Sequence, residues 1–127
     1  MPNNRIKFRF EDLDVWKVAV DISLKLFSFA NDFANDLEKK KLYRFAEQVR
    51  GAGLSMPNNI AEGSGSKSKK EFIQFINIAR RSVFENASML IIFHKINLIE
   101  SNSLGELLSD LDKLGRMLTS FFRSLED

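Results

Sequence analysis

Cysteine is absent from the 127 residues, so disulfides and thiolate metal sites are excluded, and a reducing, cytoplasmic setting is expected. Histidine occurs once, as His94. A lone histidine within an apolar helical run reads as structural, and without Cys or a Glu-x-x-His pattern neither catalysis nor a metal centre is expected. No cofactor and no small-molecule substrate are indicated. Proline is confined to Pro2 and Pro57 and glycine to six positions, a poverty of chain breakers that favours long helices. The longest apolar run, Met89 to Phe93, falls far short of the ~20 residues a membrane-spanning helix needs, so no membrane partner is expected.

What the chain does have is apolar content of 44%, twelve phenylalanines and a net charge of +2, enough for one domain with a bulky core. Residues 1–10 alternate basic and polar groups with Ile6, Phe8 and Phe10, the pattern of a short N-terminal arm, either packed by one face or partly disordered. Helical periodicity then predicts helices over about 11–34, 38–63, 68–99 and 103–125. In the first, two adjacent apolar stripes (Trp16, Val20, Phe27, Ala30, Ala34 and Val15, Val18, Ile22, Leu26, Phe29, Phe33) cover a wider arc than one bundle seam requires. That width means either a bulky core or contact with another subunit.

The third helix opens on a capping box, Ser68-x-x-Glu71, and becomes apolar nearly all round through Ile91, Ile92, Phe93, Ile96 and Ile99. A second box, Ser103-x-x-Glu106, is expected to open the fourth, where Leu104, Leu107, Leu111, Leu114, Leu118, Phe121 and Leu125 keep a/d spacing. Short connections make the expected fold all-α, an antiparallel up-down-up-down four-helix bundle.

The most unusual stretch is residues 48–63. An apolar seam through Val49, Ala52, Met56 and Ile60 runs beside a small, polar stripe of Gln48, Ser55, Asn59 and Glu62. Pro57 lies inside the helix, removing the hydrogen bond to the Gly53 carbonyl, and a bend is expected there. Gly51, Ala52 and Gly53 permit close approach of a neighbouring helix. The polar stripe, joined by Arg50 or Glu85, is expected to hold that neighbour in register. Gly63-Ser-Gly-Ser-Lys-Ser68 contains Gly-x-Gly and Lys-Ser but lacks the spacing and leading strand of a phosphate loop. Lys67, Lys69, Lys70, Arg80 and Arg81 surround a single Glu71, a local excess suited either to a solvated helix face or to RNA or DNA phosphates.

Several blocks together resemble one family, the 23S ribosomal RNA intervening-sequence proteins. Phe10, Asp12, Leu13, Val15, Trp16 and Ala19 are similar to its entry motif. Gln48, Arg50, Ala52, Ser55, Pro57, Asn59, Ile60, Ala61, Glu62 and Gly63 resemble its central signature, and Phe75, Ile78, Ala79, Ser82 and Glu85 its third block. Arg81 and Asn86 stand where glycine and leucine are usual. The resemblance implies a left-handed four-helix bundle that assembles with itself, commonly as a ring-like homopentamer, and has no established enzymatic activity. Through the similar accessory variability proteins of diversity-generating retroelements, it also implies a basic surface for nucleic acid.

Overall fold

The structure is a computed structural model and describes residues 4–34 and 42–127, with 33 and 34 described for their backbone alone. Four helices follow a short 3-10 turn at Arg9–Asp12: α1 (Asp14–Ala34), α2 (Tyr43–Ser64), α3 (Lys69–Lys95) and α4 (Ser101–Glu126). Among the described residues there is no strand.

Each boundary has a local cause. The first helix starts later than its periodicity suggests, because the Leu13 carbonyl takes the first helical bonds, from Trp16 and Lys17 N–H. Residues 9–12 instead form the tighter turn, in which Glu11 accepts the Phe8 N–H at 2.8 Å. The expected start of the second helix at residue 38, the Lys39–Lys41 run and the stripe positions Phe33 and Ala34 lie outside what is described. Ser68 caps α3 as its sequence predicts, its hydroxyl accepting the Glu71 N–H at 3.1 Å.

That helix stops at Lys95, short of the expected residue 99, in a Schellman turn. The Leu98 N–H reaches Phe93 O (2.9 Å) and the Asn97 N–H reaches His94 O (3.1 Å). Asn97 supplies the left-handed residue with φ 62°, a role asparagine fills where glycine is missing. The Ser103 box does not open α4. The helix begins at Ser101, Glu100 takes the extended cap position, and the Ser103 hydroxyl donates to the Glu100 carboxylate at 3.2 Å.

Pairings across the helices fix the topology. Asn31 and Ser23 of α1 meet Arg50 and Gly53 of α2. Ala52 and Ser55 of α2 meet Asn86 and Ser82 of α3. Phe72 and Val83 of α3 meet Phe121 and Gly115 of α4. In every pair one index rises as the other falls, so consecutive helices are antiparallel, and α1 closes the ring against α4. The core is one cluster to which all four helices contribute, with Ile22, Leu26, Met56, Ile60, Ile76 and Leu90 essentially sealed. The a/d seam of α4 is buried at Leu107, Leu111, Leu114 and Leu118 and partly open at its ends. Each such leucine contributes ~1.5–3 kcal/mol of burial.

Candidate interaction surface on the second and third helices

Residues 48–63 lie in the middle and C-terminal half of α2, which continues through Pro57 without a break. Proline has no N–H for the carbonyl four residues back, and that carbonyl, Gly53 O, receives the Ser23 hydroxyl of α1 at 2.7 Å. The donor comes from another helix because α1 lies very close here. A Cβ added at Gly53 would stand 3.1 Å from Leu26 Cδ1. Ser23 is 4% exposed, so the bond is dry and an orphaned carbonyl would cost ~1–3 kcal/mol. The sequence reading missed this serine; its only signal was a hydroxyl set in a buried apolar stripe.

On the opposite flank, α2 meets α3 through small polar groups. The Ser55 and Ser82 hydroxyls are 2.8 Å apart. Asn59 turns back on its own helix, donating to Ser55 O at 2.7 Å and Ser55 Oγ at 3.1 Å. Asn86, fully buried, donates from Nδ2 to Ala52 O (2.9 Å) and Ser82 O (2.8 Å), while its Oδ1 has no partner. Two carbonyl acceptors on one side fix the amide's orientation. At the end of α2, Gly63 lies under α3, where a Cβ would meet Phe75 Cβ at 2.7 Å and Phe72 Cδ1 at 2.9 Å.

The expected polar stripe and its two candidate partners are therefore split among four settings. Ser55 and Asn59 belong to the inter-helix network. Arg50 turns to the α1 side, pairing with Glu47 and donating to Asn31 Oδ1 at 2.7 Å. Gln48 and Glu85 stand together on a groove of about 300 Å³ between α2 and α3, floored by Phe45, Met89 and Phe93 and walled by Ile92 and Ile96. Glu62 is exposed toward the other end of α2. Gln48, Glu62 and Glu85 make no hydrogen bond or ion pair among the described residues.

Around this groove the apolar surface of α3 is uncovered. Phe84 is 66% exposed, Ile92 53%, Ile96 50%, and Ile78 and Ile91 about 40%. The widening noted in the sequence thus faces outward at Ile91, Ile92 and Ile96 and inward at Phe93 and Ile99. By contrast α1, whose double stripe suggested a second interface, leaves only Leu24 strongly exposed among its described large apolar side chains. The N-terminal arm is uncovered too. Phe10 packs on Trp16 with ring centres 5.1 Å apart, but Ile6 and Phe8 remain exposed.

The basic residues fall into two groups on α3. Lys67, Lys69 and Lys70 sit at its start and Arg80 and Arg81 are eleven residues on, ~16 Å along the axis. None forms an ion pair among the described residues; Lys69 reaches only the Asp127 carbonyl, at 3.2 Å. Some other cations are paired. Arg5 binds Glu11, whose carboxyl is pulled down to about 2 by that guanidinium and by the Phe8 N–H. Lys25 of α1 bridges Asp110 (2.7 Å) and Glu106 (3.0 Å) of α4, and those two carboxylates hold its ammonium above the ordinary lysine range.

A larger cleft, about 770 Å³, lies elsewhere, between the start of α1 and the end of α4 at Asp12, Leu13, Lys113, Arg116 and Phe121. Two smaller ones continue along the same seam on either side of Lys25. Among the described residues no group of three His, Asp or Glu side chains is placed to hold a metal ion. No helix among them is long and apolar enough to cross a membrane.

Two comparisons bear on this arrangement. Residues 11–120 match the family model described as "23S rRNA-intervening sequence protein". The fold is similar to that of a crystal structure of a protein of unknown function from the S23 ribosomal protein family of Bacteroides thetaiotaomicron. The TM-score is 0.78 at 19% identity, over 85% of this chain and 97% of that one. No curated protein matches the sequence.

Proposed function

The chain belongs to the 23S rRNA-intervening sequence protein family, and from that membership we propose that it is a non-enzymatic, self-assembling helical scaffold. The observation that carries this reading is the uncovered face of α3, with Phe84, Ile92 and Ile96 each at least half exposed. Large apolar side chains exposed together on one helix are costly to leave in water and mark interaction sites. A second copy of the chain is the partner that accounts for it, and a ring of five is the copy number that the family resemblance implies. Within that assembly the polar contacts of Ser23, Ser55 and Asn86 hold the bundle's shape, and Gln48 and Glu85 border the contact surface. A cysteine-free chain suits such a role in the cytoplasm. The test is mass in solution: light scattering at micromolar concentration is expected to give a single oligomer, and a monomer overturns the reading.

A second reading, binding to RNA or DNA, is favoured by one specific observation. Lys67, Lys70, Arg80 and Arg81 lack carboxylate partners among the described residues and gather at the start and along the first half of one helix, whereas other unpaired cations such as Lys17, Arg44, Lys113 and Arg123 are spread over α1, α2 and α4. Assembly repeats these free cations once per copy, turning a modest local charge into an extended field. Affinity for duplex or structured RNA is then expected to fall steeply with salt as counterions are released. Retention that is independent of salt, or no retention in a gel-shift series, removes this reading and leaves the scaffold.

A further inference from the structure

The N-terminal arm and the α2–α3 groove are unsatisfied in complementary ways. In the arm, Ile6 is 80% and Phe8 60% exposed. Phe8 is extended at φ −92° and ψ 150°. Phe8 stacks on Phe10 with ring centres 5.7 Å apart, yet most of the Ile6 and Phe8 side chains stays in water although the arm is anchored behind them. Arg9 donates to Ser64 O at 2.6 Å and lies 5.6 Å from the centre of the Phe72 ring. The groove has an apolar floor, a volume of about 300 Å³ that suits one or two large side chains, and Glu85 as its one charged lining residue. Residues 4–12 carry Arg5, Lys7 and Arg9 against Glu11 and Asp12; Arg5 pairs with Glu11 and Lys7 with Asp12, which leaves the arm one net positive charge, opposite in sign to Glu85.

The two do not meet within one molecule while the arm keeps its anchor on Ser64 and Phe72. The arm is tied to the end where α2 finishes and α3 begins, whereas the groove lies beside Met89, seventeen residues along α3 and ~25 Å away.

We propose that the arm of one copy, led by Ile6 and Phe8, docks in the α2–α3 groove of a second copy. This inference rests on the self-assembly reading and supplies its geometry. Arm and groove are different surfaces at opposite ends of the bundle, so the contact is heterologous. We take it to repeat head to tail from copy to copy, closing into a ring or running on as a filament, rather than as a reciprocal exchange of arms in a two-fold dimer.

Two exposed substitutions separate this from other modes of assembly. An arm variant (Ile6→Ser with Phe8→Ser) and a groove variant (Ile92→Lys, with Ile96→Lys as the second choice should the first lose helical circular dichroism) are each measured by light scattering. Each alone is expected to be monomeric. An equimolar mixture is expected to reach the mass of a dimer and no more, because one intact arm then faces one intact groove. As an independent readout, Ile6→Cys combined with Ile92→Cys in one chain is expected to give a ladder of covalent oligomers on mild oxidation, since the chain has no other cysteine. Either cysteine alone should give nothing above a dimer. An arm variant that keeps the wild-type mass, a mixture that stays monomeric, or the absence of a ladder overturns the docking while leaving self-assembly in place. A monomeric wild-type protein overturns both.

Discussion

The α2 helix and the α1–α4 seam close the same bundle by opposite means. Along α2, glycines bring backbones close, and buried polar groups answer one another across helices at Ser23–Gly53, Ser55–Ser82 and Asn86–Ala52. Along α1–α4 the contact is thinner, three clefts follow one another, and the polar link is a single exposed lysine between two carboxylates. Buried hydrogen bonds lose the whole desolvation cost when one partner goes, whereas an exposed ion pair is worth ~1 kcal/mol or less. Register is therefore written into α2, and the fourth seam follows from it.

This contrast breaks most severely at Gly63. Gly63→Leu places atoms where Phe75 Cβ, fixed by its own backbone, already stands 2.7 Å from the first added carbon. A loss of ~3 kcal/mol on chemical denaturation is expected, and an unchanged midpoint would mean that α2 and α3 slide freely. Next is Ser23→Ala, which orphans the Gly53 carbonyl that Pro57 cannot serve. It should cost ~2 kcal/mol, and restoring the donor with Ser23→Thr should recover part of it.

Asn86→Leu tests the reverse sign. The amide buries an unpartnered Oδ1, and the two carbonyls it serves lie within helices α2 and α3. A gain of ~1 kcal/mol is expected, and a large loss would show that its donor bonds carry the interface.

Across the other seam Lys25→Met should change stability by less than ~1 kcal/mol, an effect that shrinks further in salt. A loss as large as that of Ser23→Ala would erase the distinction between the two regions. The smallest effect is local and pH-dependent. Glu11 titrates in the fold near 2, below its ordinary 4.5. Its hold on Arg5 and the Phe8 N–H is therefore complete above about pH 4.5 and lost as pH falls through about 2. The Phe8 amide resonance should follow that midpoint, and one near 4.5 would mean that the arm is not tied down.

How much of this could be read in advance differs between the core and the surface. The a/d leucines of α4, the Ser68 cap and the small, polar α2 stripe are local patterns, and the structure places them on the elements their periodicity predicts. The Ser103 box failed because Glu100, just upstream, can occupy an extended cap position while its carboxylate accepts from Ser103, which starts the helix two residues earlier. Arg50 turned to α1, away from the stripe's other members, because Asn31 lies within its reach. Nothing in the spacing of residues along α2 distinguishes its two flanks.

By itself the sequence determined that this chain is four helices around an apolar core, with a carbonyl at Gly53 in need of a donor. Helical period, caps and the missing N–H of Pro57 are properties of neighbours a few residues apart. Only the tertiary structure decided that Ser23 provides that donor, that Asn86 is left with an unmet oxygen, and that Ile92, Ile96 and Phe84 face outward while Phe93 faces in. These depend on which helices lie side by side and at what rotation. That is settled by packing the whole core at once, among residues 30 or more apart in the chain.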